Sequence, residues 1–216
     1  CLTPARGRLA FLVKGAQRPK SAFLGQYDLF YTCEMVFYLR SRGSVYIARE
    51  CSPLTTRGRL RASWRACACA SYAAGMVDRV SQEGQEHAAV FRLLCGVLDR
   101  LEDADPTPAL LFWFDLKLLE ALGLAPRFGA CSVCGRRFER GESTQFSFRS
   151  SASVCSRCTP AGDNAVATVA PDVLSCVRGW QQTSSPSVAA RTRLSQDQSF
   201  ALTRFLDRLV EYWTGV

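Results

Sequence analysis

The sequence predicts an α+β protein, in which a β-rich segment precedes a larger helical part that carries a cysteine element. Short apolar runs about ten residues apart fill the N-terminal segment. From residue 55 onward, apolar residues recur with the spacing of amphipathic helices. Two C-x-x-C pairs, with twenty residues between them, interrupt this helical pattern. We therefore expect a β-domain at residues 1–52 and a helical domain at residues 53–216, with the cysteine element at 127–163.

Three segments of the β-domain have the composition of short strands. They cover residues 9–13, 35–39 and 45–48, and residues that favour turns separate them. Strands at this spacing are typical of a small barrel or sandwich. The region is also rich in Phe and Tyr, and we expect most of these rings to be buried in the core rather than free to stack on a base.

Five later segments show helical patterns, at residues 55–80, 86–103, 107–122, 171–182 and from 195 onward. The first of them begins with several arginines. Thr107 followed by Pro108 is a typical helix start, because Thr caps the helix and Pro suits its first position. Ser195 and Gln198 have the spacing of a capping box. We expect a loop rich in Thr, Ser and Pro between the last two helices.

The cysteine pairs have the spacing of a zinc site with four ligands, which are Cys131, Cys134, Cys155 and Cys158. Each C-x-x-C turn aims two sulfur atoms at one point about 2.3 Å away, and two turns complete a tetrahedron. Residues 145–148 alternate polar and apolar side chains, which indicates a short β-ribbon between the pairs. Since four thiolates leave no coordination position open for water, we predict one structural Zn²⁺ per chain.

The composition of the chain indicates its size class and the cellular compartment in which it folds. With 216 residues and 48% hydrophobic content, it is long enough to form one or two packed domains. It has no apolar run of about eighteen residues, so we expect no membrane span. Seven of the eleven cysteines lie outside the zinc element without a pairing scheme, and the N-terminus does not resemble a signal peptide. We therefore expect a reducing cytoplasm, and the missing initiator Met leads us to expect that the natural N-terminus is absent.

Charge is distributed unevenly along the chain, whose net charge is +8. Residues 1–80 have a net charge of +9, whereas residues 81–126 have a net charge of −5. The N-terminal third is therefore the candidate surface for a polyanion. We expect its contacts with a polyanion such as a nucleic acid to come from basic residues on strand ends and loops, which are Arg6, Arg8, Lys14, Arg18, Lys20, Arg40 and Arg42.

Motifs of catalysis are absent from the sequence. His87 is the single histidine and follows Glu83 and Glu86 at a helix start, which leaves no triad based on histidine. The chain also lacks a phosphate-binding G-x-x-x-x-G-K-[ST] loop, a G-x-S-x-G nucleophile elbow and the H-x-E motif of zinc deaminases. We expect a protein that is not an enzyme.

Four stretches of the sequence together carry a resemblance to a known family. They are TPARGRL at residues 3–9, VKGA and RPKS within residues 13–21, FDLKLLEALGLAP at residues 114–126, and the two cysteine turns. In their order and spacing, which are more specific than any one stretch, the chain resembles the RecO family of bacterial recombination mediators. The resemblance covers about residues 3–160, and the remainder matches only as helices.

The resemblance implies a fold, an activity and partners. RecO proteins join an N-terminal OB-fold barrel to a helical domain that carries the zinc element, and we expect the first strand of the barrel to be missing here. The family binds single- and double-stranded DNA and anneals complementary strands. It works with RecR to load RecA onto strands covered by single-strand-binding protein, whose acidic C-terminal tail it grips. The resemblance therefore implies DNA repair and recombination in the bacterial cytoplasm, at the nucleoid.

Two other classes of protein share parts of this pattern. One is a transcriptional regulator of the zinc-ribbon type that reads duplex DNA, although the sequence shows no short recognition helix with base-reading side chains. The other is an enzyme whose zinc ion gains a water molecule by losing one cysteine ligand. Metal analysis together with a base-preference binding assay separates the three classes.

Overall fold

The computed structural model describes residues 1–38, 45–139, 141–159, 162 and 164–215. It contains both helices and sheets, which confirms the predicted α+β class. The strands are β1 Leu2–Thr3, β2 Gly7–Arg8, β3 Ala10–Leu12, β4 Thr32–Tyr38, β5 Val45–Thr55, β6 Thr144–Ser147, β7 Ala152–Val154 and β8 Val166–Val169. The helices are α1 Arg59–Ala62, α2 Trp64–Val80, α3 Ala88–Asp103, α4 Pro108–Ala121, α5 Pro171–Gln182, α6 Pro186–Ala190 and α7 Gln196–Thr214.

The chain divides into two compact units, Cys1–Pro106 and Thr107–Val216. The strands of the first unit end at Thr55, close to the predicted change from β to helical pattern at residue 52. The first three helices nevertheless belong to the same compact unit as these strands. A boundary between functional domains after residue 52 stays a prediction.

The first unit contains a three-stranded sheet in the order β3–β5–β4. β5 runs antiparallel to β4 and parallel to β3. β5 continues to Thr55, well past the predicted end at residue 48, and includes Pro53. Pro53 lies outside residues 45–47, which pair with β3, and pairs with Cys33 beside a register shift in the β4–β5 ladder. Proline in a sheet is found at such edges and irregularities.

The described strands of the first unit do not close into a barrel. β1 and β2 form a separate two-stranded ladder, and three strands are too few to close a sheet around a core. The aromatic residues of this region are less buried than we predict from the sequence. Eight of them are half-buried or exposed, and they are Phe11, Phe23, Tyr27, Phe30, Tyr31, Phe37, Tyr38 and Tyr46. Phe11, Phe37 and Tyr46 pack against one another with ring centroids 5.1–6.1 Å apart, whereas Tyr27 and Tyr38 are exposed.

The prediction of one continuous helix at residues 55–80 is wrong, because this segment forms two helices, α1 and α2. Ser63 has extended backbone angles and separates α1 from α2. Its hydroxyl accepts a hydrogen bond from the N–H of Ala66 and thereby caps the longer helix. The buried face of α2 consists mainly of small residues, which include Ala66, Ala70 and Ala73, so α3 can approach it closely.

Arg57 ties the strands of the first unit to α3. Its guanidinium is buried and donates to the carbonyl of Phe30 at 2.7 Å and to the hydroxyl of Thr32 at 2.9 Å. It also pairs with Asp99 of α3 at 2.6 Å. Phe30 and Arg57 both have left-handed backbone angles, with φ of 64° and 46°. These contacts hold both residues in a conformation that non-glycine residues seldom adopt.

The core of the second unit forms around α4. This helix is apolar on nearly all sides, and its buried residues include Leu110, Trp113, Phe114 and Leu118. It contacts α5, α6 and α7. The predicted cap by Thr107 is confirmed, since its side chain accepts from the N–H of Leu110. The capping box of Ser195 and Gln198 is also confirmed at the start of α7.

A second sheet of three strands, in the order β7–β6–β8, lies in the same unit. β6 is the predicted ribbon strand, whereas β8 and the short helix α6 lie in segments for which we expect no regular structure. Phe146 and Phe148 project from the β6 segment against Phe205 of α7, with ring centroids 5.1 and 5.9 Å away. This aromatic contact fixes α7 on one face of the sheet.

Candidate metal centre and nucleic-acid surface

The structure brings the four predicted metal ligands together. The sulfur atoms of Cys131, Cys134, Cys155 and Cys158 all lie within 4.8 Å of one another. The Sγ atoms of Cys134 and Cys155 are 3.8 Å apart. A tetrahedron with metal–sulfur distances of about 2.3 Å has edges of roughly 3.8 Å. The cluster is therefore compatible with a metal site that has four thiolate ligands.

Two hydrogen-bonded turns place the sulfur atoms. The N–H of Gly135 donates to the carbonyl of Cys131 at 2.9 Å, and the N–H of Cys158 donates to that of Cys155 at 2.9 Å. Gly135 has a φ of 74°, which explains why glycine closes the first turn. The N–H of Ser132 donates to the carbonyl of Ser153 in β7 at 2.9 Å, so the first turn is fixed to the sheet.

The thiols of the cluster differ in how readily they ionise. Burial opposes ionisation of Cys131, yet N–H groups of Cys134, Cys155 and Val133 hydrogen-bond its sulfur and lower the pKa to about 6. Hydrogen bonds to the neighbouring sulfurs of Cys155 and Cys134 raise the pKa of Cys158 to about 12. One thiolate therefore forms easily, whereas full ionisation of the cluster needs a cation to compensate the accumulated negative charge.

Arg136 is a cation next to the cluster. Its guanidinium pairs with Glu142 and stacks over the ring of Phe138, with 5.0 Å between the guanidinium carbon and the ring centroid. A hydrogen bond with Glu142 raises the pKa of Arg136, and the charge of Cys155 raises it further. Four thiolates around Zn²⁺ carry two net negative charges, which a nearby guanidinium partly offsets. The sequence motif contains no signal for this residue.

The predicted DNA-contacting residues lie on different elements of the first unit. Arg6 is exposed in the turn between β1 and β2. Arg8 pairs with Asp78 at 3.0 Å, near the end of α2. Lys14, Arg18 and Lys20 are exposed on consecutive turns after β3.

The remaining two predicted contacts, Arg40 and Arg42, lie outside the described residues. Five of the seven side chains are thus exposed, and one of these five already has a carboxylate partner. That the seven together contact DNA stays a prediction.

Trp64 is a surface residue that we do not predict from the sequence. It is the first residue of α2 and 76% exposed, and the guanidinium carbon of Arg65 lies 5.5 Å from its ring centroid. The helical pattern predicts the exposure of Trp64 once the helix is taken to start at residue 64. Trp64 then lies on the opposite side of the helix from the buried residues Ala66, Ala70 and Ala73. An exposed indole beside a cation can stack on a nucleic-acid base.

Within the part of the chain that the structure describes, no helix is both long enough and apolar enough to cross a membrane.

Two family models match the chain and together cover most of it. The N-terminal model of recombination protein O matches residues 1–57, and the C-terminal model of recombination protein O matches residues 61–212. The junction between the two matches falls where strands give way to helices.

Curated relatives agree with the family models. A DNA repair protein RecO from Anaeromyxobacter sp. (strain K) is 31% identical over 159 residues, which are 74% of this chain and 62% of the relative. Another, from Anaeromyxobacter dehalogenans (strain 2CP-C), is 29% identical over 210 residues, which are 95% of this chain and 82% of the relative. The matched part spans less than two thirds of the first relative's length. The chain belongs to the RecO family.

Proposed function

We propose that this protein is a DNA-binding recombination mediator that acts in DNA repair. The observation that carries the proposal is the match to both the N-terminal and the C-terminal family models, at residues 1–57 and 61–212. The two curated relatives, which are 31% and 29% identical to this chain over the matched residues, are named DNA repair proteins. The strongly basic residues 1–80 supply the complementary charge for a nucleic acid.

We place the DNA on the first compact unit. Its sheet would form part of the OB-fold that the family resemblance implies, a fold whose barrel is partly open. The exposed cations on the turns after β3, which are Lys14, Arg18 and Lys20, can follow a phosphate backbone without disturbing the core. Aromatic side chains that remain partly accessible on the sheet, such as Phe37 and Tyr46, can add stacking on bases.

We assign the four-cysteine cluster a structural zinc ion, held by Cys131, Cys134, Cys155 and Cys158. The donor set and the sulfur spacing support this assignment. When bound, the ion links two turns and compensates the charge of the thiolates. The protein side chains fill all four coordination positions, so the site contributes stability rather than chemistry.

We propose that the protein works by binding alone and is not an enzyme. Since the sequence lacks a phosphate-binding loop, the driving force must come from exchanging one set of contacts for another. A surface with a net charge of +9 over residues 1–80 can neutralise two strands at once and reduce the repulsion that slows their pairing. Release of counterions favours this step at low salt and weakens it as salt rises.

The partners follow from the family. We propose that the protein binds single- and double-stranded DNA and anneals complementary strands. It would act with RecR to load RecA onto strands coated with single-strand-binding protein, in the bacterial cytoplasm at the nucleoid. The helical part, with its apolar stripes and basic neighbours, would bind the acidic tail of single-strand-binding protein.

Annealing of coated strands tests this function. Complementary strands are covered with intact or tail-deleted single-strand-binding protein, and the annealing rate is measured without ATP. We expect the protein to accelerate annealing on the intact coat and to lose most of this effect on the tail-deleted coat. Equal acceleration on both coats would refute binding of the tail. An absolute requirement for ATP would refute a mechanism based on binding alone.

A further inference from the structure

The strand β8 has a free edge. It pairs with β6 on one side, and no other strand of the described residues lies against its second side. The N–H of Phe148 donates to the carbonyl of Ala165 at 2.8 Å, which makes these opposed residues a hydrogen-bonded pair. Such pairs alternate along an antiparallel ladder. The N–H and C=O groups of Ala167 and Val169 therefore face β6, whereas those of Val166 and Thr168 point away from it.

A groove of about 590 Å³ lies beside β8. Four consecutive residues, 167–170, line it, although the side chains of neighbouring residues in a strand point to opposite faces. The groove therefore lies against the backbone of this segment, which includes Thr168, whose N–H and C=O groups point to the free edge. Its other lining residues include the buried apolar side chains of Phe148, Val173 and Phe205. The volume lies in the range of binding sites for ligands.

Charged side chains of α7 line the same groove. Arg204 and Arg208 lie one helical turn apart, and so do Asp207 and Glu211. The guanidinium carbon of Arg208 lies 4.5 Å from the ring centroid of Phe148, which places this arginine over the sheet. Among the described residues, neither arginine has a carboxylate oxygen within 4.0 Å.

We propose that this groove binds an extended peptide of another protein, which adds to the sheet as a strand beside β8. Backbone groups at a strand edge are complementary to the backbone of another strand, whereas a nucleic acid or a small metabolite offers no such ladder of donors and acceptors. Alternate apolar side chains of the peptide would contact the apolar lining, and its acidic side chains would pair with Arg204 and Arg208. The inference goes beyond the proposed function because it assigns a particular strand edge and a backbone ladder to peptide binding, neither of which the family match supplies.

Proline substitutions along β8 test the proposal without removing the strand. Thr168→Pro deletes an N–H that points to the free edge, so the ladder with β6 stays complete and the fold should be kept. Ala167→Pro deletes an N–H that faces β6 and should lower the melting temperature. The difference in melting temperature between the two variants tests, without any ligand, which residues of β8 direct their N–H groups toward β6.

Peptides for the binding assay come from a phage library of random dodecapeptides selected on the full chain. We expect selected peptides to alternate apolar and polar residues, to contain acidic residues, and to bind with affinities measured by fluorescence anisotropy. Thr168→Pro should weaken binding at least tenfold, and Ala201→Trp, which narrows the groove from the α7 side, should do the same. Arg193→Glu, an exposed residue that does not line the groove, should bind as the unchanged protein does.

Three results would overturn the proposal. The first is a selection that yields no peptide whose binding to the chain is weakened by the groove variants. The second is full binding by Thr168→Pro and by Ala201→Trp. The third is a concentration-dependent dimer in analytical ultracentrifugation that Thr168→Pro abolishes, because the occupant of the edge would then be a second copy of this chain.

Discussion

Replacing Arg57 with alanine should destabilise the first compact unit by about 3–7 kcal/mol. The side chain of Arg57 is 2% exposed, and it satisfies the carbonyl of Phe30 and the hydroxyl of Thr32 at hydrogen-bonding distance. Each hydrogen bond to a charged group contributes about 1.5–3 kcal/mol. The ion pair with Asp99 adds about 1 kcal/mol or less, because the side chain of Asp99 is 55% exposed and screened by water.

Hydrogen exchange read by mass spectrometry measures this effect where it occurs. Peptides from the first unit should exchange at least a hundredfold faster in Arg57→Ala, since every 1.4 kcal/mol is a factor of about ten. Peptides from the second unit should be nearly unchanged and provide an internal reference. Asp99→Asn is the matched control, and its effect should stay within about tenfold because the acid is half exposed. Equal effects of the two substitutions, or less than a tenfold change in Arg57→Ala, would refute the assignment of Arg57 as the main tie between strands and helix.

Three further predictions concern the metal, a close backbone contact and the DNA surface. Replacing Cys134 and Cys155 with serine should release zinc, as measured by elemental analysis, and lower the melting temperature, because metal binding is coupled to folding. Gly7→Ala should prevent folding of the β1–β2 ladder and lower soluble yield, since a Cβ there would lie 2.3 Å from the carbonyl oxygen of Gln82 at a φ of 63°. Alanine at three exposed cations, Lys14, Arg18 and Lys20, should weaken binding of single-stranded DNA similarly for all base sequences. For each phosphate-binding side chain that is removed, the slope of log affinity against log salt concentration should become flatter by about 0.7.

Each of these predictions has a control and a contradicting result. Cys176→Ser, outside the cluster, should retain zinc, and stoichiometric zinc in the double cysteine variant would contradict the assignment. Gly25 has positive φ with open space around a Cβ, so Gly25→Ala separates backbone strain from the close contact; equal stability of both variants would contradict our reasoning. Arg191→Ala with Arg193→Ala should leave DNA affinity unchanged. Unaltered affinity and slope in the triple variant would place the DNA site elsewhere, for example near Arg61 and Trp64.

Structural features that depend on neighbouring residues in the sequence could be predicted better than features that depend on residues far apart in the chain. The cysteine cluster could be predicted because each pair is fixed by one turn, and only the meeting of two turns depends on the fold. The helix caps at Thr107 and Ser195 could also be predicted, because each involves residues only three positions apart. The helix break at Ser63 was missed because apolar spacing continues across it, although serine is a common N-cap.

Features that depend on partners far along the chain could not be predicted. The role of Arg57 requires Phe30, Thr32 and Asp99 to meet, and its sequence context suggests only one more surface arginine. β8 is four residues long and becomes a strand by pairing with β6. The extent of the first sheet likewise depends on long-range pairing, which short apolar runs do not encode.

The all-round apolar character of α4 has a consequence for synthesis of the protein. A ribosome releases α4 before α5, α6 and α7, which cover it in the folded unit. The last buried contacts of α7 lie near residue 210, so about ninety more residues must be made after the end of α4. At roughly 5–20 residues per second this interval lasts about 5–20 s. During it the helix exposes an uncovered apolar surface, so we expect this nascent segment to bind chaperones and to aggregate when synthesis is slow.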